Sequence, residues 1–486
     1  MKKITIDPLT RLEGHGKIEI FLNDKGEVAN SYLQIPELRG FEKFTEGRLA
    51  EEMPQITQRI CGVCPEAHHL ASAKTLDAVF HIEPTPTAKK LRELLYSSFF
   101  ITDHTTHFYI LGGPDFVMGP DAPVAERNII GVIGKVGLEL GSAVIKTRMQ
   151  NHHIIQMLGG RAIHPVFGLP GGVSKGLNET ERKEIEEIAL NSLEFAKTSM
   201  TVFENIVLKN KNYVDLILSD TFTHHTYYMG MVDANNKVNF YDGNIRIVDP
   251  AGKEFARFAP NEYLNHIAEH VEPWSYMKFP YLKKVGWKGF VDGPDSGVFR
   301  VAPLARLNVG NGMATPLAQE YYEKYFATLE GKPVHHTLAN HWARLIELLY
   351  AAERLLELVK DPEITNPDIR AIPTATPDEG VGIVEAPRGT LIHHYITDSN
   401  GLIKKANMIV ATVNNAAAIN MSINKAASGL IKPGKEITEG LLNTIEMAWR
   451  PYDPCFGCAT HSLPGMQTFE VIVRDQKGKE IKRFAD

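Results

Sequence analysis

Cysteine is scarce, with four in 486 residues, which excludes the disulfide framework of a small secreted protein. Long apolar runs are missing as well: no stretch has the charge-free length that a membrane span needs. The opening Met1-Lys2-Lys3-Ile4-Thr5-Ile6-Asp7 has two lysines but neither an apolar run behind them nor a twin-arginine pair, so no secretory signal is legible. Positive charge is not in surplus. A formal net charge of -6 gives no electrostatic reason to expect nucleic acid or an anionic membrane as partner. Repeats, low-complexity tracts and linkers are also absent. What remains is a soluble globular chain, expected in the cytoplasm without membrane insertion, whose 43% hydrophobic content suits a sizeable buried core.

The first elements read as a β hairpin: Lys17 to Leu22 alternate in character, Asn23-Asp24-Lys25-Gly26 turn, and a second strand starts at Val28. Helical patterns follow. Pro65 suits a first helical turn and nothing from Glu66 to Phe80 breaks a helix, so one is expected straight after Cys64. Others are expected at about Thr87 to Leu111, Ala125 to Leu158 and Thr180 to Leu208. The clearest runs from Thr337 to Lys360, where Leu338, Trp342, Leu345, Leu349, Ala352, Leu356 and Val359 recur at helical spacing. Between Tyr227 and Arg306, glycine, proline and alternating apolar residues such as Ile245-Arg246-Ile247 point to a β meander or inserted lobe. The expected class is α+β, mainly α: a long central helix bundle around the functional site, an N-terminal β hairpin or sheet and a peripheral β-rich lobe. One domain over residues 1–486 is expected, with a β-rich insertion at about 225–310 and a tail at 462–486.

All four cysteines fall in two pairs, Cys61-Gly62-Val63-Cys64 and Cys455-Phe456-Gly457-Cys458, one near each end of the chain. Two thiolates three positions apart on a turn entering a helix can point at one metal. Four soft sulfurs select zinc, iron or nickel over magnesium or calcium. Taken alone, two such pairs are most often structural zinc; a thioredoxin-like redox pair and a four-iron cluster are further readings. Zinc ribbons, however, bring their pairs together in a small module, whereas here almost the whole chain separates them.

The segments Arg59-Ile60-Cys61-Gly62-Val63-Cys64-Pro65-Glu66-Ala67-His68 and Asp453-Pro454-Cys455-Phe456-Gly457-Cys458-Ala459-Thr460-His461 resemble the paired signatures of nickel-iron hydrogenase large subunits. Thr10-Arg11-Leu12-Glu13-Gly14-His15, Arg39-Gly40-Phe41-Glu42, Asp103-His104-Thr105-Thr106-His107-Phe108-Tyr109 and Glu385-Ala386-Pro387-Arg388-Gly389 follow the same family order. The resemblance is nearest to the cytoplasmic multi-subunit branch, viologen-reducing and heterodisulfide-reductase-linked or NAD(P)-coupled. It implies Cys61 and Cys455 as terminal nickel ligands, and Cys64 and Cys458 as bridges to an iron carrying carbon monoxide and cyanide. It implies Glu13 as the next proton acceptor and Arg388 over the open face of the metals, as second base or as a stabilising positive charge, with Asp103 and Asp453 orienting it. His68 is implied as hydrogen-bond donor to the Cys64 sulfur and Thr412 as partner of a cyanide. Glu42, His461 and the Ile409 carbonyl are implied as holding a structural magnesium.

In many family members a maturation protease ends the chain at the histidine matching His461; here Ser462 to Asp486 follow, and Phe469 to Val473 with Lys477-Gly478-Lys479 read as a small hairpin. Since both cysteine pairs are committed to the Ni-Fe centre, no iron-sulfur cluster is expected in this chain. An iron-sulfur small subunit is the expected partner, with further flavin/iron-sulfur or heterodisulfide-reductase-type subunits beyond it. Two other classes remain: a structural subunit like the quinone-site subunit of respiratory complex I, which lacks the cysteines, and a zinc-stabilised scaffold.

Overall fold

A computed structural model describes residues 2–7, 9–35, 40–456, 470–474 and 480–485, the last two segments by their backbone. The N-terminal hairpin forms as expected, from strands Lys17–Leu22 and Val28–Gln34. It belongs to a larger sheet, because Lys2–Asp7 pairs antiparallel with Lys17–Leu22 and then with Glu470–Arg474, which pairs with Glu480–Ala485. Both ends of the chain therefore meet in one sheet. The hairpin expected in the tail lies within it, at 470–474 and 480–485.

Four long helices make the centre: Pro86–Thr106, Leu138–Gly159, Glu179–Phe203 and Asn340–Lys360. Each packs on two of the others, closing a bundle. Asn340–Lys360 is buried along almost its whole length, which is why its apolar residues spread beyond a single stripe. The Pro86–Thr106 and Glu179–Phe203 helices run on into π-helical turns at His107–Gly112 and Glu204–Leu208. The expected single helix from Ala125 to Leu158 is two, Ile129–Val136 and Leu138–Gly159. Gly137 separates them with φ at +96°, a conformation that costs glycine nothing and ends a right-handed helix.

The stretch from Tyr227 is β-rich as expected, with a four-stranded sheet ordered Phe299–Arg300, Tyr227–Val232, Asn244–Val248, Glu254–Phe258, and the pair Ile267–His270 with Phe279–Leu282. Its expected end is different: Pro303–Val309, containing Arg306, is a buried helix, since Pro303 at the first helical turn starts one where an alternating pattern would have to continue. A further sheet, Glu379–Ala386, Gly389–Thr397 and Ile403–Ile409, carries the Glu385 to Gly389 motif. Met229, Ile245, Ile247 and Phe258 of the β-rich stretch share one apolar cluster with Ile383, Ile392 and Ile409 of that sheet. No helix among the described residues is long and apolar enough to cross a membrane.

Candidate metal centre

The first cysteine pair sits on a turn into the Pro65–Val79 helix, with Cys64 as its N-cap and Pro65 at the first position, as its residue order predicts. Amides of this turn point at sulfur: the Cys64 N–H donates to Cys61 Sγ at 2.9 Å and the Val63 N–H at 3.4 Å. From the other end of the chain, Cys455 brings its Sγ to 3.4 Å from that of Cys61. The three sulfurs of Cys61, Cys64 and Cys455 lie within 4.8 Å of one another, and all three residues are buried. Cys458 lies outside the described residues, as does His461.

Glu13 is brought to the sulfurs by backbone pairing. Its segment forms a parallel bridge with Cys455: the Phe456 N–H donates to the Glu13 carbonyl at 2.8 Å and the Glu13 N–H to the Pro454 carbonyl at 3.4 Å. The Glu13 carboxylate oxygen Oε2 ends 3.0 Å from Cys455 Sγ. Arg11, with φ at +58°, turns the other way. It reaches Asp115 and the Leu111 carbonyl, and burial brings its guanidinium down to about 10.

Arg388 occupies the tip of the hairpin joining Glu379–Ala386 to Gly389–Thr397, where Ala386 pairs with Gly389 across Pro387-Arg388. The turn admits only glycine at 389, since φ there is +131° and a Cβ would meet the Val301 side chain at 2.0 Å. Nη1 of Arg388 lies 3.0 Å from Asp103 and Nη2 lies 3.1 Å from Asp453. Asp103 stands at the end of the Pro86–Thr106 helix, and Asp453 takes φ at +56°, a strained position for a non-glycine residue. Burial alone would discharge the guanidinium, but the two carboxylates outweigh it and hold Arg388 firmly cationic. Burial pushes both carboxyls up against the pull of Arg388.

Cys64, His68, Arg388, Thr412 and Cys455 line one small cavity of about 10 Å³. Thr412 is in the short helix Ala411–Asn414, and its hydroxyl accepts the Cys455 N–H at 3.1 Å. His68 is one helical turn beyond Cys64, and its Nδ1 lies 3.2 Å from Nε2 of His393. Glu42 sits on the end of Ile403–Ile409, where it accepts the Met408 N–H at 2.9 Å; Ile409 follows directly.

Sequence reasoning missed the scaffold behind the Arg388 hairpin. Arg306 binds Glu347 through two nitrogens at 2.6 Å each, reaches Glu385 at 2.8 Å, and donates to the Ala386 and Pro387 carbonyls. Residues from three distant segments make this buried network, and no local motif announces Arg306.

The donor set fits a metal. The hydrogen bond to Cys61 followed by burial pushes the Cys64 thiol well up; a soft cation among the three sulfurs would reverse this by stabilising thiolates. Beside them Asp103 Oδ1, Asp453 Oδ1 and Arg388 Nε are buried without a hydrogen-bond partner among the described residues, which is unusual in a filled core.

Fold and site together define a class: a mainly α metalloprotein whose two chain ends close on a thiolate centre. The model of the nickel-dependent hydrogenase family matches residues 39–128 and 295–461, and a HoxL-like model matches residues 3–38. The chain is 53% identical over 482 residues, 99% of each protein, to an F420-non-reducing hydrogenase iron-sulfur subunit of Archaeoglobus profundus. It is 39% identical over 498 residues to the NAD-reducing hydrogenase HoxS subunit beta of Cupriavidus necator, covering 100% of this chain and 99% of that one. Among solved structures, an NAD+-reducing [NiFe]-hydrogenase in the H2-reduced state superposes with a TM-score of 0.88 at 36% identity, over 95% of this chain and 100% of that one. The chain belongs to the nickel-dependent hydrogenase family, where it is a large subunit. Its reaction is that of the family, the cleavage of dihydrogen.

Proposed function

We propose that Cys61, Cys64, Cys455 and Cys458 hold a nickel-iron centre whose iron carries carbon monoxide and cyanide, and that dihydrogen is split there heterolytically. Cys61 and Cys455 would serve nickel alone, and Cys64 and Cys458 would serve nickel and iron together. The observation that carries this reading is the convergence of sulfurs from both ends of the chain beside one carboxylate. When bound, the centre supplies a low-valent metal pair that polarises a very weak acid.

The chain's own residues then manage the proton. Cys455 Sγ takes it and Glu13 Oε2, 3.0 Å away, relays it outward. Arg388 acts as a fixed positive charge over the cavity; clamped by Asp103 and Asp453, it is a poor base. His68 donates toward the Cys64 sulfur and the Thr412 hydroxyl toward a cyanide. Glu42, the Ile409 carbonyl and His461 hold a magnesium ion, a reading supported by the seating of Glu42 against the residue before Ile409.

Electrons leave through an iron-sulfur small subunit, then through further flavin/iron-sulfur or heterodisulfide-reductase-type subunits in the cytoplasm. The Archaeoglobus relative is itself named for iron and sulfur, but here all four cysteines lie in the two pairs, which leaves no thiolate for a cluster. A maturation protease would remove the 462–486 tail as in family members that end at the histidine matching His461; the alternative, a folded and retained tail, is supported by the pairing of Glu470–Arg474 with Lys2–Asp7.

Infrared spectroscopy and metal analysis of the purified complex test this. Nickel and iron, with absorptions of metal-bound carbon monoxide and cyanide outside the protein range, are expected; zinc alone would replace the reading with that of a scaffold. H2/D2 exchange should vanish in Cys455→Ser and fall by about 10²- to 10⁴-fold in Glu13→Gln with metals retained; wild-type rates in both would remove their roles.

A further inference from the structure

A short turn at the tip of a hairpin normally gives its carbonyls to water. The Pro387-Arg388 turn is buried instead, with Arg388 only 3% exposed, and four consecutive carbonyls there receive side chains from other elements. The Tyr96 hydroxyl donates to the Glu385 carbonyl at 2.6 Å. Nη1 and Nη2 of Arg306 donate to those of Ala386 and Pro387 at 2.8 and 3.2 Å, and Nδ2 of Asn415 donates to that of Arg388 at 3.1 Å. The proton path through Cys455 and Glu13 uses none of these three side chains.

Asn415 has only one way to sit. Its Oδ1 accepts the Val301 N–H at 2.8 Å, so the amide must present Nδ2 to the Arg388 carbonyl. Ala302, next after Val301 and held at φ +86°, opens the Pro303–Val309 helix that carries Arg306. Buried carbonyls find donors in any core; what distinguishes this turn is where its donors come from. Tyr96 lies about two turns before Asp103 in the Pro86–Thr106 helix, and Asn415 caps the Ala411–Asn414 helix that brings Thr412 to the cavity. The backbone of Arg388 is thus tied to the elements that carry its partner Asp103 and one wall of the cavity.

We propose that Asn415 and Arg306, with Tyr96, are positioning residues for Arg388: they fix the peptide planes of its turn so that the guanidinium stands at one height and angle over the cavity. The ion pairs with Asp103 and Asp453 hold the far end of a long, flexible side chain, and the bonds to the carbonyls hold its near end. With both ends fixed, the positive charge cannot recede from the cavity without breaking bonds at one of them. The inference deepens the reading in which Arg388 is a fixed charge beside the nickel-iron centre; the anchoring itself does not depend on which metal the cysteines hold.

Nitrogen spectra of the guanidinium groups in full-length protein labelled at arginine read the anchoring directly, with the Arg388 signals assigned by their loss in Arg388→Lys. Wild type is expected to show separate Nη signals from a guanidinium held still. Asn415→Asp keeps the acceptor for Val301 but turns the donor to the Arg388 carbonyl into a repelling oxygen, and Asn415→Ala removes both bonds without adding charge. In each, the Arg388 Nη signals should shift and merge. In the purified complex, H2/D2 exchange per nickel should fall roughly 10-fold in both and in Arg306→Lys, which keeps its charge toward Glu347 and Glu385 but loses the fork across two carbonyls. Asn151→Asp is the control, since it charges another buried asparagine, one bound to the Thr147 carbonyl and Ser192 within the helix bundle; at a similar loss of melting temperature its exchange per nickel stays at the wild-type value. Arg388 signals unchanged in both Asn415 variants overturn the proposal, as does an equal loss of exchange in Asn151→Asp. The two readings fail separately: zinc alone in the complex sinks the nickel-iron centre, and the spectra still decide the anchoring.

Discussion

At Arg388 two large effects oppose each other. Removing a guanidinium from water costs several kcal/mol, and only close carboxylates offset it; Asp103 and Asp453 stand at 3.0 and 3.1 Å. A lysine at this position carries the same charge but cannot span both partners with a planar fork. Arg388→Lys should therefore fold and load metal normally yet lower turnover by about 10²-fold, checked by H2/D2 exchange against nickel content. His69 illustrates a different balance. Its Nδ1 donates to the Pro54 carbonyl at 3.1 Å while Nε2 accepts the Phe167 and Gly168 N–H groups, so protonation would break two bonds. Burial accordingly lowers it to about 4 from an ordinary 6.5. Between those two values the unfolded chain binds the extra proton, so stability is lost as pH falls from about 6.5 to 4, by roughly 3 kcal/mol from this one group. His69→Gln should flatten that part of a plot of unfolding free energy against pH by about one proton.

Among elements, the contact between the Pro65–Val79 helix and the Glu379–Ala386 strand sets the distance from Cys64 to Arg388. It is a backbone contact. A Cβ at Gly382 would meet the Thr75 nitrogen at 2.4 Å and the Ala71 carbonyl oxygen at 2.5 Å, and one at Gly380 would meet the Val79 nitrogen at 2.4 Å. Gly382→Ala should force helix and strand apart, cost about 3 kcal/mol and reduce nickel occupancy, read from melting curves and metal analysis. The helix was legible because Pro65 and an unbroken run mark it. The strand was not, since Glu379-Gly380-Val381-Gly382-Ile383 reads as a turn-rich stretch when the approaching helix that requires its glycines is out of view. The local setting of Thr412 is illegible for a related reason: its apolar neighbours do not tell a strand end from a short buried helix.

Over the whole molecule, one buried ion cluster ties the N-terminal motif to the C-terminal segment. Asp115 receives Arg11 and Arg450, and Arg450 also binds Glu446, whose carboxylate accepts from Thr10. Arg450→Met should destabilise the full chain by about 3–5 kcal/mol, measured by denaturant titration, because Asp115 and Glu446 stay buried with less compensation. The cluster holds the Arg11 turn from which Glu13 reaches Cys455, so its loss should also slow exchange.

By itself the sequence determined the chemistry: two Cys-x-x-Cys pairs, a carboxylate motif and an arginine turn are recognisable locally, because each depends on residue type and short spacing. It also determined the main helices, whose periodicity is local too. Only the tertiary structure decided which side chains meet. Convergence of Cys61 with Cys455, the clamp on Arg388, the Arg306 scaffold and the His393 contact with His68 all join residues far apart in the chain. Such pairings are set by the packing of whole elements, and no short window of sequence contains them.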